Sequence, residues 1–438
     1  MTQLRRFDTP AGIIEALVDG EVVRARGIRY ARAERFHPPV PEPPSTEPIE
    51  ATHPSPACVQ VVDEPGILRV DGLAGLEMSE DCLRVSVTLP ADADPDAGLP
   101  VMVWIHGGAY RNGAADSPLH DPDALVVEHR VVVVNVGYRL GALGYLGAPG
   151  RPHNLGLLDQ REALRWVQRN IAHLGGDPDQ VTVFGESAGA DAIAHLMISQ
   201  DVITDDRPLF RRAIVQSAPL GTVRARELLA EAQASALTTL PADGALGSLL
   251  EVDTAVAASA RRAGISGLMP YGVQYGRDPL PPATEAEATW QQVAPRIDLL
   301  AGTNAREVAL YQDAPQVIRI RDLALIGPVL TEAAVTLLTR RVFERPTARF
   351  VERHQRAGGR ARRYLFTGGV PGNRLRAAHA GELPYLFPTP GWAPSALLDG
   401  TSIAAVHRAG AGMRAMWASF ARTGIADDAG ATELLRLV

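Results

Sequence analysis

Gly185-Glu186-Ser187-Ala188-Gly189 places a serine between two glycines, after the apolar run Val181–Phe184 and before an apolar helical stretch reaching about Ser199. A strand that turns sharply into a helix through flanking glycines holds a serine hydroxyl proud of a sheet, where it can attack a carbonyl carbon. The pentapeptide alone is a weak signal, and its strand–turn–helix setting gives it weight. His106-Gly107-Gly108-Ala109-Tyr110 directly follows the run Pro100–Ile105. Small residues there let backbone N–H groups approach a carbonyl oxygen that is gathering negative charge. The Ala188 N–H is a further donor, at a helix N-terminus whose dipole also favours that charge. His106 reads as a structural hydrogen-bonder, because a serine in this kind of turn finds its base later in the chain.

After Ser187 the histidines are His195, His354, His379 and His407. His195 falls in the helix after the serine and His407 in a closing helix, where each packs or faces solvent. His354 sits in a polar, arginine-rich helical segment and is expected to be solvated. His379 follows the late strand Arg362–Phe366 through a Gly/Pro loop. That is the position for a general base, with a buried structural histidine as the alternative. Glu307 ends Gly302-Thr303-Asn304-Ala305-Arg306-Glu307, just after the run Ile297–Ala301. A carboxylate there can accept from the histidine ring, fix its tautomer and stabilise the imidazolium. Asp298 competes but falls inside the strand, and Glu307 could instead be a solvated acid paired with an arginine. Serine, carboxylate and histidine together describe nucleophilic acyl transfer.

Such groups need a rigid frame. Asp19-Gly20 between two apolar runs within Gly12–Val23 is a hairpin signal. A proline-rich stretch from Pro38 to Pro56 reads as an extended surface crossing, and Leu83–Leu89 alternates like a strand. Pro100–His106 and Val131–Val136 are nearly continuous apolar runs, as strands covered on both faces require. Asp159–His173 has helical periodicity and stops at Leu174-Gly175-Gly176-Asp177-Pro178. Ala213–Gln216 and Ile297–Ala301 are two more central strands, and Ala404–Arg422 is the closing helix. Strands alternating with such helices predict a mainly parallel α/β sheet in one domain over 1–438, with a helical excursion at about 221–295.

The chain has 438 residues, 46% hydrophobic and 21% charged, which is ample for a core and excludes a fibrous or disordered chain. A net charge of -7 provides no electrostatic footprint for nucleic acid or an anionic membrane. All 43 basic residues are arginine, which genome base composition accounts for. No apolar run approaches the roughly 18 residues of a membrane span, and the N-terminus lacks a leader-like apolar core. A cytoplasmic protein is expected. Cys58 and Cys82 make neither a disulfide framework nor a zinc site, and no metal-ligand spacing is present.

These motifs occur in an order that resembles the type-B carboxylesterases, relatives of the cholinesterases within the α/β-hydrolases. The resemblance runs through Gly27-Ile28-Arg29-Tyr30, Arg35-Phe36, Ser79-Glu80-Asp81-Cys82-Leu83 and the His106–Ala109 loop. It continues through Asn135–Gly144, Asn154–Ala190, Phe210–Ser217, Gly302–Glu307, His379–Phe387 and Trp417–Gly424, and is weakest at 221–295 and 312–361. It implies Ser187 as nucleophile, Glu307 as acid, His379 as base, and oxyanion donors at the N–H groups of Gly108, Ala109 and Ala188. It also implies Glu186 as an electrostatic neighbour of the site, ion pairs Arg35–Glu80 and Arg139–Asp159, and a link between Cys58 and Cys82 that a reducing cytosol disfavours. Where the family usually has Asp before and Gly after the acid, this chain has Arg306 and Val308. It is also short at 31–34 and between Glu307 and His379, which points to a more open site.

The implied activity is cleavage of small carboxylic esters through an acyl-enzyme, with no cofactor or metal. Amide or carbamate hydrolysis and acyl transfer use the same residues. A non-catalytic binding protein is the alternative of another class, disfavoured by the presence of Ser187, Glu307 and His379 together.

Overall fold

The computed structural model describes residues 3–62, 68–147, 151–204, 206–222, 246–260, 267, 269–311, 321, 326–426 and 433–438. The strands are β1 (Leu4–Thr9), β2 (Gly12–Asp19), β3 (Val22–Arg29), β4 (Ala31–Arg32), β5 (Val40–Pro41), β6 (Ile49–Ala51) and β7 (Arg84–Pro90). They continue with β8 (Leu99–Ile105), β9 (Val132–Val136), β10 (Gly176–Glu186), β11 (Arg212–Gln216), β12 (Asp298–Asn304), β13 (Ala361–Phe366) and β14 (Leu435–Leu437). One 12-stranded sheet has the order β1-β2-β3-β7-β9-β8-β10-β11-β12-β13-β14, with β6 beside β2, while β4 and β5 pair apart. From β9 to β13 every pairing is parallel, and antiparallel strands complete both ends.

The valine-rich runs form the centre because both of their faces are covered. In β8, Val101, Val103 and Ile105 belong to one core, and Met102 and Trp104 to the other. The alternation repeats at Val132/Val133, Ala213/Ile214 and Leu299/Leu300. A period-2 strand with apolar residues at every position needs helices on both sides. Helix α1 (Leu155–Asn170) and helix α2 (Ala188–Leu196) bury residues of the first core, and helix α3 (Ile403–Thr423) buries Met413, Met416, Trp417 and Phe420 in the second.

Several boundaries differ from the sequence reading. The stretch 38–56 contributes β5 and β6, so part of it joins sheets instead of only crossing the surface. Strand β10 begins at Gly176, at once after the left-handed Gly175 that ends the preceding turn. Of the expected excursion at 221–295, residues 223–245, 261–266 and 268 lie outside the described residues; the rest includes helices Leu246–Ala260 and Ala283–Val293. Cys58 and Cys82 are free, buried thiols.

Charges anchor the loops around the sheet. Arg35 donates to Glu80. Arg139 makes a two-pronged contact with Asp159, at 2.8 and 2.7 Å, with both side chains almost wholly buried. Its remaining Nη1 donates to the His37 carbonyl at 2.7 Å. A buried pair adds little over an apolar substitute, but removing one partner strands the other charge. Asp159→Asn should therefore lower the unfolding free energy by about 3–5 kcal/mol, measured by urea denaturation; a change below about 1 kcal/mol would contradict this reading of the pair.

Candidate active site

The C-terminal ends of β8, β10, β12 and β13 lie side by side, so the loops that follow them meet above one edge of the sheet. Ligand sites of open parallel sheets form at that edge. Ser187 follows β10 at φ 56°, ψ −121°, a conformation a non-glycine residue holds only when its surroundings impose it. Its N–H donates to the Gln216 carbonyl at the end of β11, at 2.9 Å. The turn is this tight because a Cβ on Gly189 would lie 2.0 Å from the Ile105 carbonyl oxygen.

Ser187, His379 and Glu307 form one hydrogen-bonded line. His379 Nε2 is 2.8 Å from Ser187 Oγ, and Nδ1 is 2.7 Å from Glu307 Oε2. Glu307 is fully buried, accepts the Asn304 N–H on Oε1 at 2.7 Å, and its carbonyl receives the His379 N–H at 3.1 Å. With the carboxylate taking the Nδ1 proton, Nε2 presents a lone pair to the serine hydroxyl. Arg306 turns outward, donating to the Arg374 carbonyl and pairing with Glu332, so its charge is met away from Glu307. Val308 joins Val342 and Phe343 in a small apolar cluster.

Glu186 adds a third carboxyl. Its Oε1 lies 3.1 Å from His379 Nε2 but forms no aligned hydrogen bond. Burial pushes the Glu186 carboxyl up to about 8, against the pull of His379 and with help from Glu382 and Glu307. Burial would lower His379, but Glu186, the Glu307 hydrogen bond and Glu382 outweigh it and hold the ring up to about 9.

Beside the serine, Gly108 has φ 107°, Ala109 φ 56° and Tyr110 φ 59°. A Cβ on Gly108 would lie 2.1 Å from the Asn112 carbonyl oxygen, so only glycine fits. The Gly108 carbonyl accepts the N–H groups of Arg111 and Asn112, each at 2.9 Å, which curls the loop. Tyr110 then ties it to α2, donating to Asp191 Oδ2 at 2.6 Å. Ala188 is the first residue of α2.

The other histidines are engaged elsewhere. His106 is buried, stacks on Tyr138 and is pushed down to about 4 by burial, as a structural residue would be. His195 bonds the Asp191 carbonyl and the Tyr275 hydroxyl, and His407 meets Glu128. His354 differs from the expectation of a solvated residue: it is buried, with Nε2 2.8 Å from the Ile297 carbonyl. Its helix, Arg345–Arg356, has Phe350 and Val351 on the same buried face, and the surrounding arginines masked that face in the sequence. Asp298, the competing acid, sits at the opposite end of β12 from Asn304 and pairs with Arg360 at 2.7 Å.

Spacing alone did not single out Tyr110, Asp191, Gln216, Asn304 or Glu382. Asp191 carried a readable signal, because a carboxylate in the apolar helix Ala188–Leu196 requires a partner. Asn304 carried one as a polar residue closing an apolar strand.

A cavity of about 620 Å³ opens over Ser187 and His379. Its lining takes Leu68, Val70, Leu119 and Trp392 from the second core, Val308, Val342 and Phe343 from the small apolar cluster, and the Gly107–Ala109 loop.

The sheet order and the serine turn after β10 define an α/β-hydrolase fold. A profile of the Carboxylesterase family matches residues 12–312. The chain is 36% identical over 432 residues, 96% of its length and 93% of the relative's, to a probable N-octanoylanthranilate hydrolase of Rhodococcus erythropolis. It is 39% identical over 245 residues to the para-nitrobenzyl esterase of Bacillus subtilis, an alignment covering 53% of this chain and 47% of that one. A solved PNB esterase superposes with a TM-score of 0.77 at 28% identity, covering 98% of this chain and 92% of the other. The chain belongs to the carboxylesterase family. Its reaction class is serine-dependent hydrolysis of carboxylic esters. Among the described residues no helix is long and apolar enough to cross a membrane.

A base must be neutral to accept a proton, so with His379 in that role kcat/KM is expected to rise with pH through the ionisation of its ring. A negative charge beside the ring favours imidazolium and moves that limb to higher pH. With the His379 ring held up to about 9 and Glu186 ionising at about 8, Glu186→Gln should move the acid limb to lower pH by about one unit, read from kcat/KM between about pH 6 and 11; an unmoved limb, or one moved upward, would contradict the placement of Glu186 as a charged neighbour of Nε2.

Proposed function

We propose that Ser187 is the nucleophile, His379 the general base and Glu307 the acid that orients it, in an enzyme cleaving small, largely apolar carboxylic esters. The observation that carries this reading is the Ser187–His379–Glu307 line, with contacts of 2.8 and 2.7 Å converging from three strand ends. Ser187 Oγ attacks the ester carbonyl as its proton passes to His379 Nε2. The negative oxygen that forms is received by the N–H groups of Gly108, Ala109 and Ala188. Glu307 stabilises the imidazolium, which then protonates the departing alcohol. Water, activated by the same ring, releases the acid from Ser187. Glu186 acts as an electrostatic neighbour that sets how readily His379 holds its proton. None of these steps calls for a cofactor or metal.

The apolar walls of the cavity support acyl and alcohol groups of moderate size and little charge. The whole chain, 1–438, reads as a single hydrolase domain with the 221–295 excursion beside the site, since Thr222 and Met269 contribute to the cavity lining. A cytoplasmic setting accords with the two free, buried thiols.

Amide hydrolysis is the second reading, favoured by the 36% identity to a probable N-octanoylanthranilate hydrolase over nearly the whole chain. The test is turnover of p-nitrophenyl esters from acetate to dodecanoate, alongside N-octanoylanthranilate and with a competing alcohol present. Ester cleavage that falls by at least about 10⁴-fold in Ser187→Ala is the expected result. Equal cleavage by Ser187→Ala, or none by the wild type, would overturn the ester reading. Faster turnover of the amide would favour the second.

A further inference from the structure

Asn304 is the last residue of β12 and is fully buried. Its backbone N–H donates to Glu307 Oε1 at 2.7 Å. Its side-chain Nδ2 donates to the Ala378 carbonyl at 2.7 Å and to Glu382 Oε2 at 2.5 Å. Ala378 precedes His379 and Glu382 follows it by three residues, so one amide grips the histidine loop on both sides of the ring. Around it, the Arg306 N–H donates to the Ala377 carbonyl at 2.9 Å, fastening the acid loop to the histidine loop along their backbones. The other oxygen of Glu382 faces Gln216 Nε2 at 3.4 Å, and Gln216 is the residue whose carbonyl holds the Ser187 N–H.

The chemistry of this position is narrow. An amide nitrogen offers two hydrogens, and both are spent on acceptors. Turning the amide over would set its oxygen against a carbonyl and a carboxylate, so the orientation is decided by the neighbours. Asn304 Oδ1, in contrast, is buried with no hydrogen-bond partner. Leaving a buried acceptor unmatched costs about 1–3 kcal/mol. A residue kept at that cost is kept for its donors.

We propose that Asn304 is the positioning residue of the acid–base pair: it holds the Glu307 carboxylate and the His379 loop in one frame, so that Glu307 Oε2 stays aimed at Nδ1. This rests on the catalytic roles proposed above for Glu307 and His379. Asn304 touches no reacting atom and acts through Glu307 and the loop 378–382. Its backbone N–H takes Oε1 and leaves Oε2 for the ring, and its side-chain grip on Ala378 and Glu382 sets how the ring stands between Glu307 and the serine.

The test compares Asn304→Ala, Glu307→Gln and the double variant, with folding checked by circular dichroism and urea denaturation. For Asn304→Ala the expected loss in kcat is about 10- to 100-fold, with KM changed less than about 2-fold. The acid limb of kcat/KM should move to lower pH: the backbone N–H still holds Glu307, but a His379 loop freed from the side-chain amide lets the ring drift from Oε2, and the imidazolium is stabilised less. In the Glu307→Gln background the same substitution should cost less than about 2-fold, since what it positions is already gone. A kcat within about 2-fold of wild type, or an equal loss in both backgrounds with an unmoved limb, would overturn the proposal. If Glu307→Gln lowers kcat and Asn304→Ala does not, this inference falls alone. If Glu307→Gln leaves kcat unchanged, the triad reading falls and takes this one with it. Should Asn304→Ala not fold, Asn304→Ser keeps one donor; an intermediate kcat with the limb moved down supports the proposal, and wild-type behaviour overturns it.

Discussion

Ser187 stands at φ 56° and ψ −121°, and that single strained residue depends on nearly everything around it. Such a conformation costs of the order of 1–3 kcal/mol. Strand β10 approaches it between two parallel neighbours, and α2 leaves it with Gly189 pressed against the end of β8. The Gln216 carbonyl holds its N–H. Relaxing the turn would break β10 pairings, expose apolar residues of α2, or drive a helix backbone into β8. The valine-rich strands are thus the support that keeps a hydroxyl lifted off the sheet, and the two apolar cores that grip them supply the energy of that support.

The electrostatics follow from the same crowding. Three carboxyls, Glu186, Glu307 and Glu382, converge on one imidazole in a buried setting. Only one of them, Glu307, is aligned to accept its proton on Nδ1. Burial holds Glu186 and Glu382 above the usual carboxylate range, to about 8 and about 6. The site therefore stores negative charge reluctantly, and an imidazolium at His379 is a favourable counter-charge.

Much of this was legible in the chain before any coordinates. Continuous apolar runs such as Val131–Val136 mark strands buried on both faces, because no half-exposed strand tolerates valine at every position. The serine turn and the glycine loop after Ile105 are readable because tight backbone geometry demands glycine there, and Glu307 and His379 because each is a titratable residue placed just after a later strand. The edges were less so: β6 and β14 are three-residue strands whose pairing is set by distant partners, β2 and β13. His354 was misread because its burial depends on the Ile297 carbonyl, far along the chain. Asn304 and Asp191 were passed over for a related reason. Their roles lie in hydrogen bonds to residues 378–382 and to Tyr110, and no local pattern encodes a partner at such separation.

The proposed nucleophile, Ser187, has to carry the substrate's acyl group covalently between two steps. The most direct measurement is mass spectrometry of the enzyme quenched within milliseconds of mixing with p-nitrophenyl butyrate, followed by digestion. A butyryl adduct is expected on the peptide containing Ser187, at up to one group per chain, forming and decaying in step with turnover. Turnover with the adduct on a different residue, or with Ser187 never acylated while product accumulates, would contradict it.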